Sequence, residues 1–495
     1  MADLHSSSAA SLAWIRLLIF ALVFLVLILA ACLIPGGSFE YPLVSPLESY
    51  SCHVQQFDAF HKGQFELDIV PDPILATLVN PYDRQERDAS KAHYLWDRCY
   101  YQGSYYSYFG IAPILLVYEP FYLLTGRLPS NLAASFLLCF GACILIAFVL
   151  LEFMNLAGVT ISRWRFLLYY LAVLAAGLLL LPLVYQDHYY LVYQCMMLAF
   201  SGFVLALLRI SRHTAWQKQA VYLFAAGCCC ALILFSRPQV LLFCLILAAP
   251  VFWKTLRDRS RPVLKLCVQA CSFLVPFLIA VIWQFFFNNA RFGKPLDFGA
   301  FYQLTVSDIR NNHLRLSAIM PSIKAYYLHP PALSSQFPWL RFAKFQGGEA
   351  GIFLYTDKTL GILNFPFLLF GLYPIFQTNN RGKSGSRIKW LIYALAAFFI
   401  AWFDYCLAGS NLRYVCDISL PLVLMAAWGG ILMDKQFLAD PAAARNRIRP
   451  GRTGASGNSV LTQRFYLSVS AILLVWSLIL GIFVLLLRLK LAGVP

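Results

Sequence analysis

The chain has 495 residues, of which 60% are hydrophobic and only 13% are charged. Soluble domains carry roughly 25% charged residues, so this composition excludes an ordinary soluble protein and favours one membrane-embedded unit. The formal net charge of +16 does not indicate a nucleic-acid partner, because the basic residues gather in short segments between apolar runs. Membrane proteins label their cytoplasmic side in this way.

Apolar runs that approach the length of a membrane span occur along most of the chain. A helix needs about 20 predominantly apolar residues to cross the hydrocarbon. The sequence therefore predicts an all-α polytopic membrane protein with 11–12 transmembrane helices. The candidate spans are 12–34, 109–126, 131–153, 164–185, 188–209, 219–235, 238–253, 263–287, 359–377, 388–408, 415–433 and 465–487.

Two polar regions interrupt the spans and divide the chain. Residues 1–34 hold the N-terminus and a retained first span, which is too long for a signal-peptide core and lacks a small-residue cleavage site. The first polar region (35–108) and the second polar region (288–358) mix aromatic and charged residues, which predicts folded loops with short interfacial helices. Membrane helices fill 109–287 and 359–495.

The orientation follows from Lys and Arg in short connecting loops. Four basic segments agree on the cytoplasmic side, namely 209–218, 254–265, 378–389 and 434–464. The second polar region then faces outside. The first faces outside as well only if the weakly apolar segment 109–126 does not cross, and Glu119 within it would be costly in hydrocarbon. We therefore expect 109–126 to be re-entrant or interfacial, which leaves about eleven spans.

The first polar region holds the candidate catalytic carboxylates. Asp58 lies in the apolar frame Phe57-Asp58-Ala59-Phe60, which indicates a helix on the membrane surface. A carboxylate at the mouth of a cavity between spans could act as a general base. Glu66 and Asp68 point the same way on an extended segment and could bind Mg²⁺ or Mn²⁺. Asp97 is a further candidate; the alternative for all four is solvated polarity or pairing with neighbouring bases.

Two other features of this region leave alternatives open. The aromatic tract 100–110 includes Tyr105 and Tyr106, which could stack on a sugar or could belong to an interfacial aromatic belt. Cys52 and Cys99 could form a disulfide if the region lies outside the cell, or could remain two unpaired thiols.

Basic residues also lie at the ends of spans that are predicted to face outside. Arg237, Arg291 and Arg413, the last followed by Tyr414, could hold a phosphate or pyrophosphate head group. The alternative is structural pairing, with Arg413 and Asp417 spaced as i, i+4 neighbours on a helix. There is no P-loop, which argues against an ATP-driven pump. Few charges lie within spans, Asp404 being the main exception.

The order of these parts resembles the GT-C superfamily of membrane glycosyltransferases: one span, a long acidic loop, many spans and a second loop. Several stretches also resemble a group of bacterial membrane proteins related to that superfamily. They are Asp58-Ala59-Phe60 with Gly63, Asn80-Pro81-Tyr82-Asp83, Trp96-Asp97, Gly103 to Pro113, Leu124-Thr125-Gly126, Ser236-Arg237-Pro238, Asn289 to Gly293, Phe298-Gly299, Tyr302-Gln303-Leu304, and Arg413-Tyr414 with Asp417 and Pro421.

The resemblance implies transfer of a sugar from a polyprenyl-phosphate donor to a lipid, glycan or protein acceptor at the extracytoplasmic face of the bacterial cytoplasmic membrane. It also implies that a carboxylate shortly after the first span serves as base or binds a metal. Asp58 matches by position, although Ala59 stands where a second acidic residue is often found, and Asp97 is the reserve candidate.

The remaining predicted site residues would contact the substrates. Arg237, Arg291 and Arg413 would hold the donor phosphate, and Tyr302 and Tyr414 belong to the matching stretches that would line the substrate site. The competing hypotheses are a transporter or flippase of a lipid-linked substrate and a non-catalytic protein of envelope assembly.

Overall fold

The structure is a computed structural model that describes residues 40–41, 47–185, 188–257, 262–346, 352–356, 358–376, 384–438 and 456–491. The predicted first span (12–34) and most of the basic segment 434–464 lie outside the described residues. The described residues are 71% helical with few strands, which confirms the predicted all-α class.

The α-helices are numbered here in chain order. They are α1 (Cys52–His61), α2 (Ile74–Thr77), α3 (Arg84–Ala89), α4 (Glu119–Thr125), α5 (Asn131–Ala157), α6 (Arg163–Ala176), α7 (Leu181–Tyr185), α8 (His188–Arg212), α9 (Trp216–Leu234), α10 (Leu241–Arg257), α11 (Val263–Phe292), α12 (Ile319–Ile323), α13 (Tyr373–Phe376), α14 (Ser384–Ala408), α15 (Leu412–Leu438) and α16 (Ser456–Leu491).

Seven helices within the described residues are long and apolar enough to cross a membrane, judged by length and composition. They are α5, α8, α9, α11, α14, α15 and α16. Each overlaps one predicted span, so the prediction of a polytopic membrane protein is confirmed at this level. At a rise of about 1.5 Å per residue, 20 residues are enough for the hydrocarbon core.

The other four predicted spans in the described residues are shorter or interrupted helices, so the total of 11–12 transmembrane helices stays a prediction. Hydropathy sums apolar residues across a turn as readily as along one helix and does not locate these interruptions. Segment 109–126 forms a π-helical turn (Ile114–Tyr118) followed by α4, and segment 164–185 forms α6 and α7. Segment 238–253 forms a 3₁₀ turn (Pro238–Val240) followed by α10. Segment 359–377 forms two 3₁₀ turns (Ile362–Asn364 and Pro366–Leu372) followed by α13.

Three small antiparallel strand pairs occur in the described residues. Strands β1 (Glu40–Tyr41) and β4 (Leu128–Pro129) pair, as do β5 (Ala332–Leu333) and β6 (Leu340–Arg341). The hairpin of β2 (Cys99–Tyr101) and β3 (Ser104–Tyr106) places Tyr100 opposite Tyr105. This hairpin fixes the end of the first polar region.

The helices differ in how much of their surface is buried. Of the most apolar 18 residues of each helix, 78% are buried inside the protein in α8 and 83% in α15. In α11 only 17% of these residues are buried. Helix α8 packs between α5 and α9, and α9 packs against α11. Helices α8 and α15 are therefore central, and α11 exposes apolar side chains as a lipid-facing helix does.

The two polar regions pack against each other. The Asp97 N–H donates to the Leu304 carbonyl (3.0 Å), and the Leu304 N–H donates to the Arg98 carbonyl (2.9 Å). The guanidinium of Arg87, fully buried, donates to the Thr305 carbonyl at 2.6 Å. These contacts require both regions to lie on one side of a membrane; that this side is the outside stays a prediction.

Candidate functional site

A cavity of about 1150 Å³ lies where the two polar regions meet α8, α10, α11, α14 and α15. Five of the predicted site residues line it, and they come from four separate parts of the chain. They are Asp97, Arg237, Arg291, Arg413 and Tyr414. The other predicted residues do not line this cavity: Asp58, Glu66, Asp68, Tyr105, Tyr106 and Tyr302.

Asp97 is the carboxylate of the first polar region that reaches the cavity. Its backbone is left-handed (φ 55°), a conformation that Asp tolerates better than most residues. The side chain is only 4% exposed, and its Oδ2 accepts a hydrogen bond from the Tyr189 hydroxyl at 2.5 Å. Its Oδ1 accepts no hydrogen bond from the described residues. A buried carboxylate oxygen on a cavity wall is thus left for another donor.

Arg413 lies beside Asp97, because both contact Tyr189. The guanidinium carbon of Arg413 is 4.9 Å from the centroid of the Tyr189 ring, and one nitrogen donates to the Tyr414 hydroxyl at 2.9 Å. No carboxylate of the described residues lies within ion-pair distance, and Nε has no acceptor among them. A cation with no matching anion and one unused donor is suited to an anionic ligand.

Arg291 is a second cation of this kind. It is 5% exposed, stacks on the Phe287 ring at 3.6 Å and donates to the Ser107 carbonyl and the Asn288 side chain at 2.5 and 2.9 Å. These partners are neutral, so its charge has no ion-pair partner in the described part of the chain. Lys294 lies on the same cavity wall.

Arg237 differs, because its charge is already matched. Its guanidinium binds both carboxylate oxygens of Asp417, with Nε 2.9 Å from Oδ1. Asp404 is 3.9 Å away, and the Gln239 amide donates to both carboxylates. The i, i+4 alternative for Arg413 is therefore wrong, because Asp417 pairs with Arg237 from a distant part of the chain.

A close backbone contact holds the turn that carries Arg237. The Ala112 N–H donates to the Phe235 carbonyl at 3.1 Å. A Cβ on Gly110 would lie 1.9 Å from the same carbonyl oxygen, so this approach requires glycine. The end of the first polar region thereby fixes the turn from α9 to α10.

Asp58, the first predicted catalytic candidate, does not line the cavity. Helix α1 is capped by Ser51 and buries Phe57, as the apolar frame predicts. Asp58 instead pairs with Lys62, one turn along the helix, at 2.8 Å. Position after the first span could not distinguish a carboxylate beside the buried face from one inside the cavity, and Asp97 is the predicted carboxylate that lines it.

The predicted metal ligands lie at the surface. Asp68 pairs with Lys62 at 2.5 Å, and Glu66 is exposed. No group of three or more His, Cys, Asp or Glu side chains that could hold a metal ion occurs in the described residues. Glu66 and Asp68 alone offer too few ligands for a divalent cation. A requirement for Mg²⁺ or Mn²⁺ stays a prediction.

The predicted sugar-stacking tyrosines support the β2–β3 hairpin instead. Tyr105 is 2% exposed in a small core, and burial raises its pKa to about 12. Tyr106 packs on the Phe292 ring at 5.5 Å, and the Tyr302 hydroxyl donates to Asp297 at 2.9 Å. The aromatic residues on the cavity wall include Tyr108, Phe109, Tyr189, Tyr193, Tyr355 and Tyr414.

Of the two alternatives for Cys52 and Cys99, the structure shows unpaired thiols. The Cys52 thiol donates to the Ser107 hydroxyl and the Cys99 thiol to the Gly299 carbonyl, both at 3.0 Å. Burial raises the pKa of both thiols. They are buried packing residues without a role in the cavity.

Sequence reasoning did not identify Tyr189, Gln239 or Asn312 as site residues, and it noted Asp404 only as an unusual charge near a span end. That rarity was the available signal, since ionisable residues within spans are costly and commonly functional. Tyr189, Gln239 and Asn312 contact residues that are far away in the sequence. Such contacts cannot be seen in a single sequence.

Comparison with protein-family models, curated proteins and solved structures finds no match. The resemblance to the GT-C superfamily therefore rests on the sequence stretches quoted above. The structure adds seven candidate spans within the described residues and, between helices, a largely apolar cavity that contains a few charged side chains.

Proposed function

We propose that the chain is an integral membrane glycosyltransferase that moves a sugar from a polyprenyl-phosphate donor to an acceptor hydroxyl. The observation that carries this proposal is that one cavity holds a carboxylate and guanidinium groups that do not form ion pairs with each other. Asp97 presents an unused carboxylate oxygen, and Arg413 and Arg291 present guanidinium groups without carboxylate partners in the described residues.

The reaction needs a base and a cationic site for the leaving group. Asp97 removes the proton from the acceptor hydroxyl while the acceptor oxygen attacks the anomeric carbon. The bond from that carbon to the phosphate oxygen breaks, and the phosphate takes the electron pair. Because the phosphate is already ionised, it needs charge stabilisation more than protonation, and Arg413, Arg291 and Lys294 supply it.

Tyr108 and Tyr189 complete the polar wall around the base. Burial raises the pKa of Tyr108 well above its usual range, and the charge of Asp97 adds to this effect. Tyr108 therefore remains a neutral hydroxyl. The hydrogen bond from Tyr189 holds Oδ2 of Asp97, and Oδ1 has no hydrogen bond with the described residues.

The apolar part of the wall suits a lipid-linked substrate. Leu245 on α10 and Phe399 on α14 line the cavity and are 58% and 48% exposed. Both helices are rich in apolar residues that a bilayer would cover. We propose a lateral mouth between them, which lets an isoprenoid or acyl chain stay in the bilayer while its head group enters the cavity.

The test compares Asp97→Asn with the matched control Asp58→Asn in purified protein, using labelled short-chain polyprenyl-phosphate sugars. A missing general base lowers the rate by about 10²–10⁴-fold, so Asp97→Asn loses transfer to that extent. Asp58→Asn keeps transfer within about threefold, because Asp58 only pairs with Lys62. Full transfer by Asp97→Asn would contradict the assignment.

A transporter of the same lipid-linked substrate is the second candidate, because Asp404 and Asp417 are buried carboxylates inside candidate spans. Reconstituted vesicles separate the two functions. Movement of a labelled lipid-linked sugar between leaflets without chemistry supports the transporter. Absence of both transfer and movement supports a role in envelope assembly.

A further inference from the structure

The cavity contains an acidic group apart from Asp97. Asp404 on α14 and Asp417 on α15 share one guanidinium, that of Arg237. Arg237 stacks on Tyr193 at 4.5 Å, and Tyr193 follows Tyr189 by one turn of α8. One turn is about 5–6 Å. Arg237 therefore contacts α8 one turn after the residue, Tyr189, that contacts Asp97.

Asp404 has an acceptor that the protein does not fill. The residue is 6% exposed, and its Oδ1 accepts from the Gln239 amide at 3.3 Å. Its Oδ2 receives no N–H or O–H donor from the described residues, and the charged groups that face this carboxyl are Asp417 and Arg237. A buried acceptor without a donor costs about 1–3 kcal/mol, so a ligand that brings a donor is favoured here.

Asn312 adds a second acceptor on the same wall. It is 3% exposed, and its Nδ2 donates to the carbonyls of Phe353 and Leu407 at 3.0 and 2.7 Å. These two bonds fix the amide, and Oδ1 receives no donor from the described residues. Leu407 lies three residues after Asp404 on α14. Asn312, which contacts Leu407, and Asp404 therefore lie near the same end of that helix.

The surroundings define what can reach these acceptors. The neighbouring wall is apolar and includes Leu241, Leu245, Phe399 and Phe403, at the mouth proposed between α10 and α14. A phosphate at this position would face two carboxylates that share one cation, and it would be repelled. A hydroxyl group is uncharged and donates the hydrogen bond that a carboxylate accepts.

We propose that Asp404 and Asn312 bind the hydroxylated, uncharged head group of a membrane lipid, and that this lipid is the sugar acceptor. The role as acceptor rests on the proposed glycosyltransferase function; the lipid site itself rests on the two unfilled acceptors and the apolar mouth. The cavity then separates its substrates by charge. The donor phosphate binds at Arg291, Lys294 and Arg413, and the lipid head group binds at Asp404.

The experiment measures binding to full-length protein in lipid nanodiscs, with empty nanodiscs subtracted. The probes are octyl β-glucoside, which carries hydroxyls and no charge, and octyl phosphate. Asp404→Asn replaces an acceptor oxygen by a donor amide, so it weakens glucoside binding at least tenfold and leaves octyl phosphate binding within twofold. Arg413→Gln gives the reverse pattern.

Two further variants protect the test against a folding defect. Leu245→Trp narrows the mouth from an exposed position and also weakens glucoside binding at least tenfold. Glu119→Gln removes an exposed carboxylate that binds His61 outside the cavity, and it leaves both affinities unchanged.

The two proposals fail in different ways. Wild-type affinity of Asp404→Asn and Leu245→Trp for the glucoside, or no binding by the wild type, overturns the lipid site. Equal loss of both probes in Asp404→Asn overturns it as well. If the glucoside results hold but Arg413→Gln still binds octyl phosphate, the lipid site stands and the proposed phosphate site of the glycosyltransferase is wrong.

Discussion

Helix α15 carries a buried Asp–Arg cluster near each end, and the two clusters are built differently. The Asp434 cluster consists of Asp434, Arg165, Tyr466 and Ser470. The Asp417 cluster consists of Asp417, Arg237, Asp404 and Gln239. Asp417 and Asp434 are 17 positions apart, which is about 25 Å along a helix.

The Asp434 cluster has its charges and oxygens matched. Arg165 donates to both carboxylate oxygens of Asp434 at 2.7 and 2.5 Å and also contacts Tyr466 and Ser470. The Tyr466 hydroxyl donates to Asp434 as well. None of these residues lines the cavity. The cluster joins α6, α15 and α16 and has no acceptor left over for a ligand.

The Asp417 cluster has two carboxylates for one guanidinium and leaves Oδ2 of Asp404 without a donor from the described residues. Three of its members line the cavity: Arg237, Gln239 and Asp404. Similar residue types thus serve packing at one end of α15 and a cavity at the other. A cluster in which every charge and acceptor has a partner indicates a structural role. A buried carboxylate oxygen that lacks a donor and belongs to a cavity-lining residue indicates a binding site.

Asp434→Asn should have the largest effect on stability. It leaves the Arg165 guanidinium in a buried position without its counter-ion, which typically costs 3–5 kcal/mol. We expect a large fall in the Tm of the purified protein, measured in one detergent at one scan rate. Combining Asp434→Asn with Arg165→Met should restore part of the loss; no restoration would show that the pair is not the cause.

Asp417→Asn should have an intermediate effect. It removes the main partner of Arg237, but Asp404 is 3.9 Å away and Gln239 remains, so part of the charge stays matched. We expect a loss of about 1–3 kcal/mol, seen as a smaller fall in Tm than for Asp434→Asn. A fall equal to that of Asp434→Asn would remove the proposed difference between the clusters.

Asp404→Asn should have the smallest effect on stability. Its Oδ2 makes no hydrogen bond with the described residues, and the change removes one of two neighbouring like charges. We expect the free energy of unfolding to change by less than about 1 kcal/mol, with Tm close to that of the wild type. A fall comparable to that of Asp417→Asn would mean that Asp404 is as structural as Asp417.

The long helices could be predicted from the sequence, because hydropathy and length report directly on spans such as α5 and α8. The interruptions could not, apart from the weakly apolar segment 109–126. Leu178 lies between α6 and α7 with a left-handed backbone (φ 56°), although leucine gives no turn signal. Segment 359–377 includes Asn364, Pro366 and Pro374 and forms 3₁₀ turns, which hydropathy alone does not describe.

The candidate site could be predicted only as a set of residue types at span ends. Arg291 and Arg413 were identified in this way and do line the cavity. Their partners could not be assigned, because Arg237 and Asp417 are 180 positions apart and only the fold brings them together. That Asp97 lines the cavity and Asp58 does not could not be predicted for the same reason, since the cavity depends on the second polar region.

The docking of Arg87 onto Thr305 bears on how the protein is made. The two residues are 218 positions apart, and a ribosome adds about 5–20 residues per second. Roughly 10–45 seconds therefore separate the synthesis of the two partners. During this interval Asp97 lacks the Leu304 backbone that holds it, so the protein becomes competent only after most of its helices have been inserted. A nascent chain truncated before Thr305 would carry the cavity's carboxylate without the structure that positions it.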